Sequence, residues 1–390
     1  MKSGWQTSTL GDVLAVLRNG VNCKQDKSGK GDRISRIETI SDTSFDLEKV
    51  GYTTLSERDK QRYRLQPGDI LFSHINSAVH VGKTAVFDTT EPIYHGVNLL
   101  LMRPKDTVTS AYLEHALKFL FQSGYWRGVC KQSVNQASVN QQDISRVEIS
   151  YPKSLPEQQR IVGVLDEAFE GIATTKANAE KNLQNARALF ESHLQSVFTQ
   201  RNKEWKMERL SNVCLLLNGR AYKQEEMLKK GKYPLLRVGN FFTNKDWFYS
   251  DLELEPEKYC DNGDLVYCWS ASFGPRIWEG EKVIYHYHIW KVLPRPAIVE
   301  KRFLLHLLAW DVEQIKQAHG TGTTMMHVGK GSMENRIVPV APLQEQARIV
   351  ALLDELREET QRLESIYQRK LAALETLKKS LLHQAFAGKM

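Results

Sequence analysis

The same thirteen-residue pattern occurs twice in this chain: residues 155–167 read LPEQQRIVGVLDE, and residues 343–355 read LQEQARIVALLDE. The two copies are 188 residues apart. Phe198 and Phe386 keep the same spacing near the far ends of the two segments. An internal duplication decides how a chain is divided, so it is the first feature to interpret. The sequence predicts two equivalent segments of equal length.

Both segments carry apolar residues at the spacing of a helix that packs on another helix. Ile161 and Leu165 begin the stripe of the first segment, and Ile349 begins the stripe of the second. A narrow stripe with a period near 3.5 residues needs a partner helix, because a lone helix cannot bury it. We predict two long helices, 155–200 and 343–390, that pair antiparallel. The alternative is two amphipathic helices packed inside separate globular domains.

The blocks that precede the helices, 1–154 and 201–342, have a mixed α and β pattern. Short apolar runs typical of strands occur in both blocks. Apolar helical stretches lie near residues 112–121 and 303–310, and each block ends in a strand-like run closed by proline. The predicted fold class is α+β: two globular α/β domains in a tandem pseudo-symmetric repeat, joined by two long antiparallel coiled-coil helices.

Composition limits the class of protein further. The 390 residues carry a formal net charge of +7, and the basic excess lies in the two blocks rather than in the helices. Localised positive charge suits a phosphate backbone. The five cysteines form no CxxC pair, and an odd number is a poor disulfide framework. With no pattern of a signal peptide or of a membrane span, we expect a soluble cytoplasmic protein.

Motifs of catalysis and of cofactor binding are missing from the sequence. There is no HExxH zinc motif and no CxxC pair. Gly82-Lys83-Thr84 resembles the end of a phosphate-binding loop, but position 77 is serine where that loop requires glycine. Gly320-Thr321-Gly322 fails the dinucleotide pattern because residue 325 is methionine. We expect a chain that is not an enzyme and holds neither a metal nor a cofactor.

The duplicated helices, each after a variable block, resemble the conserved regions of type I restriction–modification specificity subunits. Three further stretches are similar to sequences common in that family: PGDILF at 67–72, the run at 263–292, and GTGTTMMHV at 320–328. The resemblance covers essentially the whole chain. The matched pair of helical copies is its most specific part.

The resemblance implies two target-recognition domains, 1–154 and 201–342, that each read one half of a bipartite site in double-stranded DNA. The conserved helical regions, 155–200 and 343–390, would act as spacers and as docking surfaces for two methyltransferase subunits. Restriction subunits, which translocate and cut DNA, would join through them. S-adenosylmethionine, ATP and Mg²⁺ would be used by those partners, in the cytoplasm of a bacterium or archaeon. The residues expected in the coiled coil and in docking are Glu157, Arg160, Ile161, Leu165, Leu183, Glu345, Arg348, Ile349, Leu353, Leu363 and Leu374.

Candidate DNA contacts follow from side-chain chemistry. Lysine, arginine and small polar residues position a protein on phosphates, whereas amides and arginine read base edges. The expected contacts in the first domain are Arg33, His74, Asn76, Ser77, His80, Lys83, Lys131, Asn135 and Gln136. In the second domain they are Arg220, Tyr222, Lys223, Trp269, Ser270, Ser272, Arg276, Thr321, Thr323, Thr324 and His327. The alternative for each is a solvated loop residue or, for Trp269, a core residue.

Two other functions remain open at this level. One is the specificity subunit of another multisubunit restriction class, with different partners and cleavage chemistry. The other is a coiled-coil scaffold with two protein-binding heads, which would bind no DNA selectively. The basic surplus in the two blocks and the family-like motifs argue against the scaffold.

Overall fold

Strands and helices alternate through both blocks of the chain. The structure, a computed structural model, describes residues 4–27, 29–40, 44–133, 136–243, 246–270, 273–319 and 328–390. The first block and the helix after it contain β1 (Trp5–Thr9), α1 (Leu10–Val13), β2 (Leu14–Asn19), β3 (Asp32–Ile34), β4 (Gly51–Thr53), α2 (Glu57–Tyr63), β5 (Asp69–Phe72), β6 (Ile75–Asn76), β7 (Thr84–Phe87), β8 (Ile93–Tyr94), β9 (Leu100–Pro104), α3 (Ser110–Gln122), α4 (Tyr125–Val129), β10 (Lys131–Ser133), β11 (Gln136–Ser138), α5 (Gln141–Ser145), β12 (Glu148–Pro152) and α6 (Leu155–Thr199).

The second block has a closely similar order of elements. They are β13 (Lys206–Arg209), α7 (Leu210–Val213), β14 (Cys214–Asn218), β15 (Tyr233–Leu236), α8 (Asn240–Thr243), β16 (Phe248–Ser250), β17 (Tyr259–Cys260), β18 (Leu265–Cys268), β19 (Gly274–Ile277), β20 (Val283–Tyr285), β21 (Ile289–Pro294), α9 (Lys301–His319), α10 (Lys330–Glu334), β22 (Ile337–Val340) and α11 (Leu343–Phe386). The predicted α+β class is confirmed. None of the helices in the described part of the chain is long and apolar enough to cross a membrane.

The chain forms two compact units. Unit 1 comprises Met1–Glu180 and Arg369–Met390, and unit 2 comprises Lys181–Gln368. Both boundaries fall inside the long helices, so each unit contains one block, the start of the helix that follows it and the end of the other long helix. The four segments predicted from the sequence follow chain order instead.

In the described part of unit 1 the strands form four sheets. The largest is antiparallel with strand order β2-β9-β5-β7, and a smaller sheet has the order β4-β3-β8 with β3 and β8 parallel. Strands β1 and β12 pair at the base of α6, and β6 pairs with the β10–β11 hairpin. The main core lies between the large sheet, α3 and the helices, and Ile70, Phe72 and Leu113 in it are fully buried.

The described part of unit 2 repeats this scheme except for the β6–β11–β10 sheet, to which no sheet there corresponds. Its largest sheet has the order β14-β21-β18-β19, its second sheet has the order β16-β15-β20-β17 with β15 and β20 parallel, and β13 pairs with β22. The sequence Asn-Gly ends the first strand of the large sheet in both units. A Cβ atom at Gly20 would collide with the backbone of His95, and one at Gly219 would collide with the backbone of His286. The same close approach explains glycine at both positions.

The long helices run antiparallel within each unit. In unit 1, Lys176 of α6 pairs with Glu375 of α11 at 2.9 Å, and the Phe169 ring of α6 lies 5.3 Å from the Lys378 ammonium of α11. In unit 2, Arg187 of α6 pairs with Glu364 of α11 at 2.9 Å, and the Phe190 ring of α6 lies 5.1 Å from the Arg357 guanidinium of α11. In each unit, the contact residue that lies further along α6 meets the one that lies earlier in α11. The two helices are therefore antiparallel. The predicted helix pair is confirmed.

A buried glutamine fixes each block to the helix that follows it. The Gln158 side chain, fully buried in α6, accepts a hydrogen bond from the N–H of Thr109 at 2.9 Å and donates to the carbonyls of Thr107 and Pro152 at 3.0 and 2.9 Å. Gln346 of α11 makes the same three bonds in unit 2, to Glu300, Ile298 and Ala341 at 2.9 Å or less. Both glutamines hold the start of a block helix, α3 or α9.

Replacing this glutamine is expected to destabilise unit 1. Gln158→Ala would leave one N–H and two carbonyls without their partner, and unsatisfied buried groups cost about 1–3 kcal/mol each. We expect the free energy of unfolding of unit 1 to fall by about 2–3 kcal/mol in urea titrations of the full chain. Gln159→Ala, at the exposed neighbouring position, is the control. Equal unfolding curves for the two variants would contradict this role.

Candidate nucleic-acid interface

The two predicted segments of unit 1 lie on one small sheet. In the sequence they are about 55 residues apart, but Asn76 of β6 pairs with Ala137 of β11, and β11 pairs with β10. The N–H of Val139 donates to the carbonyl of His74 at 2.9 Å and continues the ladder. Lys131 and Gln136 are exposed on the hairpin, and Asn76 is half-buried beside it. Asn135 lies outside the described residues.

Polar side chains line a concavity of about 450 Å³ beside this sheet. Its lining residues are Asn19, His74, Ile75, Ser138, Val139, Asn140, Gln141 and Gln142. Amide groups both donate and accept hydrogen bonds, which is the chemistry that distinguishes the edges of base pairs. The sequence analysis missed Asn19, Gln141 and Gln142 because they follow or precede strands that meet only in the folded unit.

His74 is the least exposed of the predicted contacts in unit 1. Burial lowers the pKa of His74 to about 4, so the imidazole is neutral at pH 7. Its Nδ1 atom is buried, with no hydrogen-bond partner among the described residues. A neutral imidazole carries one donor and one acceptor, so its buried Nδ1 atom can complete a hydrogen bond to a bridging water.

The remaining contacts predicted for unit 1 are divided between two places. Ser77 and His80 are exposed in the turn after β6, and Lys83 is half-buried where that turn returns to β7. The turn depends on Gly82, whose φ of +94° and contact with the Trp126 ring leave no room for a side chain. Arg33 lies on β3, in the other sheet, and its guanidinium pairs with Glu91. The structure therefore does not bring Arg33 to the β6–β11–β10 sheet.

Arg220 of unit 2 is an internally paired cation. Its guanidinium makes two hydrogen bonds to the Glu226 carboxylate, at 2.8 and 2.7 Å, and stacks 5.1 Å from the Tyr222 ring centroid. The hydrogen bonds from Arg220 lower the pKa of Glu226 to about 2, so both partners are charged at neutral pH. Lys223 is exposed in the same turn. The net positive charge offered by this turn is smaller than the sequence suggests.

Trp269 anchors an aromatic cluster in unit 2. Its ring is half-buried on Trp290, with ring centroids 5.9 Å apart, and its indole N–H donates to the carbonyl of Tyr287 at 2.7 Å. The His288 ring lies edge-on at 5.0 Å, and the Tyr287 side chain is 39% exposed. Stacking and hydrogen-bonding groups thus meet at one strand end.

The other contacts predicted for unit 2 lie in different surroundings. Ser270 is buried, whereas Arg276 of β19 is exposed, with its guanidinium 6.0 Å from the Phe241 ring centroid. Ser272, Thr321, Thr323, Thr324 and His327 lie outside the described residues. Within the described part of the chain, no three His, Cys, Asp or Glu side chains are grouped as metal ligands would be.

Equivalent strand ends carry different chemistry in the two units. His74 follows β5 in unit 1 and Trp269 follows β18 in unit 2, and these two strands hold the same place in the large sheets. Unit 1 surrounds this place with amides, whereas unit 2 surrounds it with aromatic and imidazole rings. The duplicated scaffold therefore presents two dissimilar surfaces.

The residues predicted for helix pairing and docking fall into three groups. Ile161, Leu165, Ile349 and Leu353 are buried in the cores of the units, and Leu183, Leu363 and Leu374 are half-buried along the helix pair. Arg160 and Arg348 are exposed, with Arg160 bound to Glu157 at 2.8 Å, whereas Glu345 accepts a hydrogen bond from Asn202 at 3.3 Å.

Exposed apolar side chains recur at equivalent positions of the two helices. Val164 and Leu352 are 41% and 47% exposed and occupy the same place in the repeated pattern. Leu377 and Leu189 form a second equivalent pair, each about half exposed. Unit 1 holds Val164 and Leu377, and unit 2 holds Leu352 and Leu189, so each unit has one copy of this set. The duplication therefore repeats the same exposed apolar positions in the two units.

Two buried histidines were missed by the sequence analysis. Nε2 of His115 in α3 lies 2.8 Å from a carboxylate oxygen of Asp166, and Nε2 of His306 in α9 lies 3.0 Å from Asp354. Both aspartates belong to the repeated LDE sequence. The identity of these polar residues in the two copies was the available signal, because an apolar stripe alone does not require them. Together with Gln158 and Gln346, these pairs orient each block on its helix.

Comparison with known proteins agrees with this duplicated architecture. The family model "Type I restriction modification DNA specificity domain" matches residues 2–185 and 202–372. The putative type I restriction enzyme MjaX specificity subunit of Methanocaldococcus jannaschii is 28% identical over 99% of this chain and 93% of its own length. The EcoKI specificity subunit of Escherichia coli is 26% identical over 50% of this chain and 43% of its own.

Solved structures have the same fold. A chain from a study of assembly and conformational transition in a type I restriction–modification system superposes with a TM-score of 0.80 at 18% identity, covering 100% of this chain and 99% of that one. The HsdS subunit of Thermoanaerobacter tengcongensis superposes with a TM-score of 0.62 at 17% identity, covering 100% and 98%. The family match extends over both blocks and most of both helices, so this chain belongs to the type I restriction–modification DNA specificity family, as a specificity subunit rather than a catalytic one.

Proposed function

We propose that the chain recognises a bipartite sequence in double-stranded DNA, with residues 1–154 reading one half and residues 201–342 reading the other. The observation that carries this proposal is the pair of dissimilar surfaces on one duplicated scaffold. Two copies that kept the same fold but different polar groups suit two different half-sites. Linking two readers also makes the second binding event intramolecular, which raises the affinity for the whole site.

The first half-site is read by the β6–β11–β10 sheet and the concavity beside it. Asn76 and Gln136 supply amides that can pair with adenine, Lys131 positions the sheet on phosphates, and the neutral His74 stands at the edge of the concavity. Ser77, His80 and Lys83 contact the same stretch of duplex from the adjoining turn. Arg33, which is paired with Glu91 on another sheet, has at most a secondary contact.

The second half-site is read by the strand end around Trp269. Tyr287 offers an exposed ring with His288 beside it, and the exposed side chains of Arg276 and Lys223 offer positive charge for phosphates or guanine. Arg220 acts through its pair with Glu226, which holds Tyr222 and the turn in place. Ser270, Ser272, Thr321, Thr323, Thr324 and His327 are the further contacts that we propose for this half-site.

The helices α6 and α11 hold the two readers and dock the other subunits. We assign one methyltransferase subunit to Val164 and Leu377 in unit 1 and another to Leu352 and Leu189 in unit 2. Glu157 and Arg160 lie at the polar edge of the first surface, and Glu345 and Arg348 lie at that of the second. Restriction subunits then join through the methyltransferase subunits. This chain uses no cofactor of its own; S-adenosylmethionine, ATP and Mg²⁺ belong to the partners, and the complex works in the cytoplasm of a prokaryotic cell.

Binding to DNA is expected to depend steeply on salt. A protein that neutralises six to ten phosphates loses about 10³–10⁵ in affinity between 50 and 200 mM salt, because bound counterions are released. Fluorescence anisotropy with a labelled duplex across this range checks the prediction. A flat salt profile would favour a scaffold with protein-binding heads over a DNA reader.

A further inference from the structure

Two arginines of unit 1 lie over one tyrosine ring, and a third arginine lies near them. The guanidinium carbons of Arg18 in β2 and Arg62 in α2 lie 5.5 and 5.4 Å from the centroid of the Tyr63 ring, and Arg18 donates a hydrogen bond to the carbonyl of Arg62. Arg103 of β9 lies near Arg18 on the same face of the large sheet. Both Arg18 and Arg103 are about one-third or less exposed, whereas Arg62 is exposed.

The cluster has more positive charge than its carboxylates neutralise. Asp69 is almost fully buried, and both of its oxygens are engaged by Arg103, at 2.6 and 2.8 Å. No carboxylate among the described residues pairs with Arg18 or Arg62. Burial, with smaller effects from Arg103 and Arg62, lowers the pKa of Arg18 below its usual range, and its Nε atom is buried with no hydrogen-bond partner in the described part of the chain.

The fold does not require these arginines. In unit 2 the equivalent strand pair, β14 and β21, has Leu217 where β2 has Arg18, because each residue immediately precedes the Asn-Gly pair. By the same register Leu293 stands in the place of Arg103. The carboxylate of Asp264 corresponds to that of Asp69, and a single cation, Lys291, pairs with it at 2.6 Å. Unit 2 therefore builds the same sheet with leucines in the places of Arg18 and Arg103.

Gathering like charges costs free energy unless an anion binds there. A guanidinium presents a planar set of donors that match phosphate oxygens, and the tyrosine ring holds two of them in place through its face. We propose that Arg18, Arg62 and Tyr63 form an anion site that holds a phosphate of the DNA backbone. This inference rests on the proposed function and adds a positioning contact that unit 2 lacks. It contributes affinity but does not read a base.

Duplex binding by the full chain in complex with its methyltransferase subunits tests the proposal. Arg62→Gln should lower the slope of log affinity against log salt by about 0.9, which corresponds to about eightfold weaker binding at 0.1 M salt. The loss should be equal for a duplex with the target and for an unrelated duplex. Arg18→Gln should lower the slope and the affinity in the same way. Because Arg18 is partly buried, the thermal melting of this variant is measured as well, to show that it is folded. Arg146→Gln, an exposed change of the same charge near β12, is the control.

The other outcomes distinguish a failure of the anion site from a failure of the proposed function. Unchanged slopes for both variants, with wild-type binding intact, would overturn the anion site and leave the DNA reader standing. Inorganic phosphate could also stabilise the wild type but neither variant, while the DNA salt slopes stay unchanged. That result would mean a free-phosphate site and would also overturn the proposal. Failure of the wild-type complex to bind any duplex would instead refute the proposed function.

Discussion

A chimaera with residues 1–154 from a relative and residues 155–390 from this chain is expected to direct methylation to a new bipartite sequence. One half of the sequence should change completely, and the other half should stay as in the wild type. The physical reason is that the polar groups of unit 1 lie on its own sheet and concavity, and the groups of unit 2 are built by a separate core. Sequencing of modified bases in cells that also produce the methyltransferase subunits gives the readout.

The design of this chimaera follows from the contacts at the junction. Gln158 and Asp166 remain in the recipient, so the donor block must supply a histidine in the place of His115 and backbone groups in the place of Thr109. A reciprocal chimaera with residues 201–342 replaced is the matched control and should change only the other half. Changes in both halves, or in neither, would show that the readers are not independent.

The double variant Val164→Asp and Leu352→Asp is expected to lose assembly with the methyltransferase subunits. Both side chains are exposed, so the fold should tolerate the change, but a charge in the centre of an apolar contact costs about 2 kcal/mol or more, or about 30-fold in affinity. The single Val164→Asp variant should bind one methyltransferase subunit in place of two, since each unit carries one copy of the set. Light scattering after size exclusion measures the mass of each complex.

Two comparisons separate docking from folding. Ala173→Asp with Gln361→Asp places the same charges nine residues further along each helix, at exposed positions on the opposite face, and should leave assembly unchanged. Leu363→Glu and Leu374→Glu change half-buried positions of the helix pair, so they should lower the melting temperature as well as assembly. Full assembly of the Val164→Asp and Leu352→Asp double variant would refute the assigned surface.

The helical part of this fold was predictable because its signal is local. Stripes such as Ile161 to Leu165 and Ile349 to Leu353 repeat within a few turns, and the duplication reports the same element twice. The sequence also shows β5, β7 and β18 as continuous apolar runs bounded by turns.

The interface was less predictable because its parts are distant in the chain. The pairing of β6 with β11 joins the segments around residues 76 and 137. The local sequence of either segment does not indicate which residues pair. Positive charge alone was also a poor guide to the DNA contacts, because Arg33 and Arg220 are paired with Glu91 and Glu226. Arg18 and Arg62, which pair with no carboxylate in the described part of the chain, belong to different elements and come together only in the folded unit.

Mapping modified bases across the genome of cells that produce this chain with its methyltransferase subunits tests the central claim most directly. The account predicts a single motif made of two short specified halves, separated by a fixed number of unspecified base pairs, and the motif should vanish when the chain is omitted. One uninterrupted motif, or modification that persists without this chain, would contradict the account.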